Sequence, residues 1–171
     1  EIAHTIDDKY LYSMDNEDNK KVQTQKKESF SDLYSIINTL KDNPNLNSDK
    51  LIEHFIEQRK VQLEKDNYSQ HFTVPALASL KQIIKKDKNF IKNFKNSESD
   101  FLLLSNITNH SINIATNYGK ETEKQKKFLN SYLENGLSSF QLNVINATFN
   151  EYQLNKNYEQ QKTKYKKLKV S

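Results

Sequence analysis

The sequence predicts an all-α fold, a single-domain bundle of about five to six helices with a long C-terminal helix. Three observations carry that expectation. Apolar residues recur three and four apart between recognisable stops, and the alternation of a half-buried strand is absent. Helix breakers are scarce, with 2 Gly and 2 Pro in 171 residues. A hydrophobic content of 35% and a mean hydropathy of −0.92 supply enough apolar material for one core and not for two.

Residues 1–28 are set apart as a flexible polar N-terminal arm. From Asp15 to Glu28 the only apolar side chain is Val22, and a stretch without an apolar face cannot offset the entropy of ordering it. Upstream, Ile6, Tyr10, Leu11 and Met14 have the spacing of one short docking turn. Residues 29–171 then form the bundle domain.

The first predicted helix runs over 31–42, with Phe30, Leu33, Ile36, Ile37 and Leu40 on one side. It stops at Asn43-Pro44, because the residue before a proline is pushed out of the helical region. The second follows Ser48 as N-cap and shows Leu51, Ile52, Phe55 and Ile56. The third opens with Thr73 as N-cap and Pro75 in the first turn, where a missing N–H costs nothing. It reads as continuous to Phe94, its apolar face made of Ala76, Leu77, Leu80, Ile83, Ile84, Ile91 and Phe94.

Ser97-Glu98-Ser99-Asp100 announces the fourth helix, combining a capping oxygen with carboxylates at the positive end of a helix dipole. With Phe101, Leu104, Ile107, Ile112, Ile114 and Ala115 it is apolar on nearly all sides up to Asn109, so it is expected at the centre. Gly119 marks its C-cap or a kink. The fifth, over 121–134, buries Phe128, Leu129, Tyr132 and Leu133 and ends at Asn135-Gly136.

The sixth, from about 138 to 168, spans roughly 45 Å at 1.5 Å per residue, longer than the preceding helices can cover. Positions 140, 144, 147, 151, 154, 158, 161, 165 and 168 alternate spacings of four and three, the mark of an apolar seam. Glu151 and Gln161 interrupt it. The Lys-rich last turns are therefore expected to protrude, fray or meet a partner.

Composition excludes several kinds of chemistry. Two glycines cannot build a Gly-rich phosphate loop, a dinucleotide fingerprint or a nucleophile elbow. The absence of Cys removes disulfides, thiolate zinc sites, iron–sulfur clusters and Cys nucleophiles. The longest apolar run, Phe101 to Leu104, falls far short of the roughly 18 residues of a membrane span. His54 and Glu57 are the nearest approach to a Glu-x-x-His metal motif, but reversed and single, while His4, His71 and His110 are scattered. No catalytic residue, metal or cofactor is expected.

Charge offers two candidate surfaces. The net charge is +4, and of 26 Lys and Arg only Arg59 is Arg. That weakens a nucleic-acid reading, since Arg grips phosphates and guanine edges bidentately whereas Lys is a hydrated point charge. Lys81, Lys85, Lys88, Lys92 and Lys95, at steps of 4, 3, 4 and 3, fall within about 40° of one line on a continuous helix. They form either a solvated face or a candidate surface for an anionic partner. The second surface combines Tyr158 and Tyr165 with Lys162, Lys166 and Lys169. Such interleaving can hold single strands by stacking, but the tyrosines fall in the seam, which favours packing in the core or against a partner helix.

These readings lead to a non-enzymatic helical interaction protein, surface-exposed or secreted and lipoprotein-like, from a bacterium. The polar stretch before the first helix resembles a tether, and the surplus of Lys, Asn, Ile and Tyr is what an AT-rich coding sequence produces. Its expected partner is a protein or an anionic surface polymer. The alternative is an intracellular nucleic-acid-associated or regulatory helical protein acting through the Lys-rich faces.

Overall fold

Helices tend to start where a side chain can cap free N–H groups and to stop where the backbone must turn. The computed structural model describes residues 20–66, 71–116 and 121–168. Among them the helices are α1 (Lys20–Asp42), α2 (Ser48–Asp66), α3 (Val74–Lys86), α4 (Phe90–Asn93), α5 (Glu98–Thr116), α6 (Glu121–Asn135) and α7 (Ser139–Leu168), with no strand. The all-α bundle and its long C-terminal helix are as the sequence predicts.

Most boundaries have the expected chemistry. The backbone and side-chain amides of Asn43 both donate to the Thr39 carbonyl at 3.0 Å, closing α1 before Pro44. Asn47 caps α2, its side-chain oxygen accepting from Lys50 N–H at 3.0 Å, one residue ahead of the expected Ser48. Ser97 and Asp100 form a reciprocal box at the start of α5, with Asp100 accepting at 2.9 Å and Ser97 at 3.4 Å. Ser138 and Gln141 do the same for α7. Gly136, at φ +72°, ends α6 by donating to Tyr132 O at 2.8 Å, in a conformation that side-chain-bearing residues rarely adopt.

The expected central helix is α5, which packs on α1, α3, α6 and α7. Its Leu103, Leu104 and Ile107 are buried in one core with Leu33, Ile36 and Ile37 of α1 and Leu77, Leu80 and Ile83 of α3. A chain of aromatic contacts, with centroids 5.9–6.4 Å apart, runs from Tyr34 through Phe101, Phe94 and Phe90 to Phe149 and Tyr152. The side chains of Ile112, Ile114 and Ala115, and residues 117–120 with the expected stop at Gly119, lie outside the described set.

Three expectations need correction. The first is the arm boundary: residues 1–19 lie outside the described set, but α1 already begins at Lys20. Its early turns dock by polar contacts. Gln25 is buried and donates to the Phe72 carbonyl at 2.9 Å, and Glu28 lies 3.3 Å from His71 and 3.6 Å from Arg59. An apolar-periodicity rule does not register such an anchor.

The second correction is the third predicted helix, which breaks at Asp87. A continuous helix would set Asp87 in the middle of the apolar face, one turn from Ile83, Ile84, Phe90 and Ile91. The backbone instead becomes extended there (φ −125°, ψ 101°), and the carboxylate accepts from Asn89 N–H at 2.9 Å. The new turn drives Phe90 and Phe94 into the core, 1% and 0% exposed.

The third concerns the α7 seam. The docked face is Ile145, Thr148, Phe149 and Tyr152, continued by the half-buried Lys156 and Glu159. The predicted seam lies roughly 140° around the helix from it, at 100° per residue. Phe140, Leu154, Tyr158 and Tyr165 stand 68–72% exposed. Apolar residues occur on both faces of α7, and the polar ones at 152, 156 and 159 decide which face docks.

Leu104 is fully buried at this hub whereas His110, on the same helix, is exposed. In urea denaturation, Leu104→Ala is expected to cost about 2–5 kcal/mol and His110→Ala less than roughly 0.5 kcal/mol. Equal small losses would show that the core does not centre on α5.

Candidate functional site

The most elaborate polar constellation is built around Asp100, which belongs to α5 and is 0% exposed. A buried carboxylate costs several kcal/mol of desolvation unless its oxygens are saturated with donors. Oδ2 accepts from the backbone N–H of Lys95 and Ser97, both at 2.9 Å, from Ser97 Oγ at 3.0 Å and from Lys156 Nζ at 2.8 Å. Oδ1 accepts from the Tyr152 hydroxyl at 2.9 Å. One turn on, Glu159 accepts from Ser99 N–H at 3.0 Å, placing a carboxylate at the positive end of α5.

The protonation states follow from this wiring. Burial pushes the Asp100 carboxyl up, but the bonds from Lys156, Ser97, Lys95 and Tyr152 outweigh it and leave it below the usual range. Tyr152 is held far above the ordinary tyrosine range by burial and by the Asp100 charge, so it remains a donor. Glu159 is lowered, the Ser99 and Ser97 contacts outweighing its partial burial. Asp87, Asn93 and Thr163 complete an open cleft over this cluster. Each Asp100 oxygen is already met by protein donors, so the arrangement serves to hold α7 on α5.

Locking that face inward leaves the other outward. Tyr158, Gln161, Lys162, Tyr165 and Lys166 line a groove on the free side of α7. Four of the five residues of the expected partner-helix surface thus adjoin one another, while Lys169 lies outside the described set. The tyrosines are not part of the intramolecular core.

The Lys stripe is not one line. Lys81 and Lys85 belong to α3, Lys88 to the turn after Asp87, Lys92 to α4, and Lys95 to the loop that feeds α5. Lys81 is paired with Glu53 of α2 at 2.7 Å, which raises the lysine against partial burial and lowers the glutamate. Lys85, Lys88, Lys92 and Lys95 are exposed. The sole arginine is also committed: Arg59 donates to Asp32 through Nε at 2.9 Å and Nη2 at 2.6 Å. Thr73 Oγ1 donates to the same carboxylate at 2.6 Å rather than capping α3. This clamp ties α1, α2 and the start of α3, and it occupies the one guanidinium suited to bidentate phosphate binding.

Both clamps escaped sequence reasoning, and both left signals. A single Arg in a Lys-rich chain marks a need for fork geometry, and Tyr152, Lys156 and Glu159 at steps of four and three form a polar-tipped stripe. His54 and Glu57 turn to neighbours on their own helix, Gln58 and Lys60. Among the described residues no three of His, Asp or Glu converge where a metal ion would sit, and no helix is long and apolar enough to cross a membrane. The chain matches no protein-family model, no curated protein and no solved structure.

Two measurements test the roles of Asp100 and of the exposed lysines. Asp100→Asn should destabilise the fold by about 3 kcal/mol at neutral pH, because Lys156 loses its counter-charge. The lowered carboxyl contributes stability above its unfolded value of roughly 3.9, lost as pH falls through the folded value, so the gap between variant and wild type should narrow as pH drops below about 4. A gap independent of pH would refute that electrostatic role. Changing Lys85, Lys88 and Lys92 together to Gln is expected to leave oligonucleotide binding at physiological salt, and its salt dependence, unaltered. A tenfold loss with a flatter salt slope would restore the stripe as a polyanion site.

Proposed function

We propose that this chain is a non-enzymatic helical interaction module whose working surface is the outer face of α7. One observation supports the reading above the others. A helix roughly 45 Å long is fastened along one face while its heptad-spaced opposite face holds Phe140, Leu154, Tyr158 and Tyr165 in water. Four large apolar side chains aligned on one helix are the chemistry of a protein contact, since aromatic anchors dominate interface energetics. The partner on this reading is a protein, with lysines 162 and 166 on the rim.

Action at a bacterial cell surface or in the secreted fraction is the accompanying proposal. It rests on the lack of Cys and the Lys-rich exterior. The commitment of Arg59 to Asp32 weighs against the intracellular nucleic-acid alternative. An upstream apolar segment followed by a lipid-accepting cysteine in the full-length gene would support the surface placement.

A photo-crosslinking residue in place of Tyr158, in the cells that make the protein, should yield a discrete protein adduct. The same residue in place of Lys85 should yield none. Equal, diffuse labelling from both positions would overturn the proposal.

A further inference from the structure

The partner that best fits the outer face of α7 is another α7, and we propose that the chain self-associates through an antiparallel pairing of these helices. The inference rests on the reading of that face as a contact surface and names its occupant. It draws on area, charge and register.

Phe140, Leu154, Tyr158 and Tyr165 are each about 70% exposed, which amounts to on the order of 500 Å² of side chain per copy. A symmetric pairing buries about 1,000 Å², the lower bound for a specific interface, so the association is expected to be weak, with Kd in the range of roughly 10–100 µM. The face is open, because α7 packs on α5 and α3 through its other side.

Charge decides the orientation. From Ser139 to Gln153 the only charged residue is Glu151, whereas Lys162, Lys164, Lys166 and Lys167 crowd the last turns. A parallel pair would set lysines against lysines. An antiparallel pair sets the basic turns of each copy against the uncharged turns of the other. With Phe140 facing Tyr165 of the second copy, heptad register places Tyr158 opposite Ala147 and Leu154 opposite Glu151. Tyr158 then meets a small side chain, the rings of Phe140 and Tyr165 meet at the ends, and Lys162 and Lys164 lie beside Asn143 and Gln141. The weak point is the centre, where the two Glu151 carboxylates enter the seam.

The residues involved are exposed, so substitutions there leave the fold intact. Sedimentation equilibrium of the wild type from 5 to 500 µM should show a mass rising from 20.1 kDa towards about twice that value. Tyr158→Lys should abolish the rise with unchanged helical content, and Glu151→Leu should tighten association at least tenfold by removing the central charges. The chain lacks Cys, so single cysteines report orientation cleanly. Phe140→Cys mixed with Tyr165→Cys should form a disulfide, and Tyr165→Cys alone should not. A monomer at 500 µM, a dimer indifferent to Tyr158→Lys, or preferential self-crosslinking of Tyr165→Cys would overturn the proposal. A cellular adduct from position 158 to a different protein, with the purified chain monomeric, would overturn self-association yet leave the interaction surface standing.

Discussion

A carboxylate removed from water governs the way this bundle closes. Asp100 sits at the N-terminal end of the central helix, where α5 meets the loop from α4 and the flank of α7. Its two oxygens demand donors, and the chain provides them from two backbone amides, a serine, a tyrosine and a lysine. Because Tyr152 and Lys156 are one turn apart on α7, satisfying Asp100 fixes the rotation of that helix about its own axis. The inward position of Ile145 and Phe149 and the outward position of Leu154 and Tyr158 follow from that single constraint.

The Asp32–Arg59–Thr73 clamp applies the same logic to α1, α2 and the start of α3. Desolvation opposes burying either charge cluster, and apolar groups of equal volume commonly stabilise a core as well or better. The contribution of these ties is therefore geometric. They choose one arrangement of amphipathic helices among several with similar apolar burial, a choice that Leu, Ile and Phe, being non-directional in their contacts, make poorly.

How far the fold could be read from the sequence follows the same division. Caps and stops at Pro44, Ser97 and Gly136 were legible because each rests on a local backbone requirement. The hub role of α5 was legible because a helix apolar on nearly all sides has to be covered. Three features were not, since each depends on a polar group finding a distant partner or avoiding the core: Gln25 reaching Phe72, Asp87 leaving the apolar face, and Tyr152 and Lys156 reaching Asp100. Apolar periodicity on α7 found a real stripe and misjudged its direction. The candidate surface at Tyr158 and Tyr165 was thus visible as a pattern before its exposure was.

The sequence distances within the Asp100 cluster bear on how the protein is made. Tyr152 and Lys156 lie 52 and 56 residues beyond their partner, whereas the box at Ser97 closes over three residues. On the ribosome, Asp100 lacks these two donors until residues 152–156 have left the exit tunnel. The outward tyrosines at 158 and 165 emerge after the residues that dock their helix, so the stripe is never presented ahead of the means to fasten it.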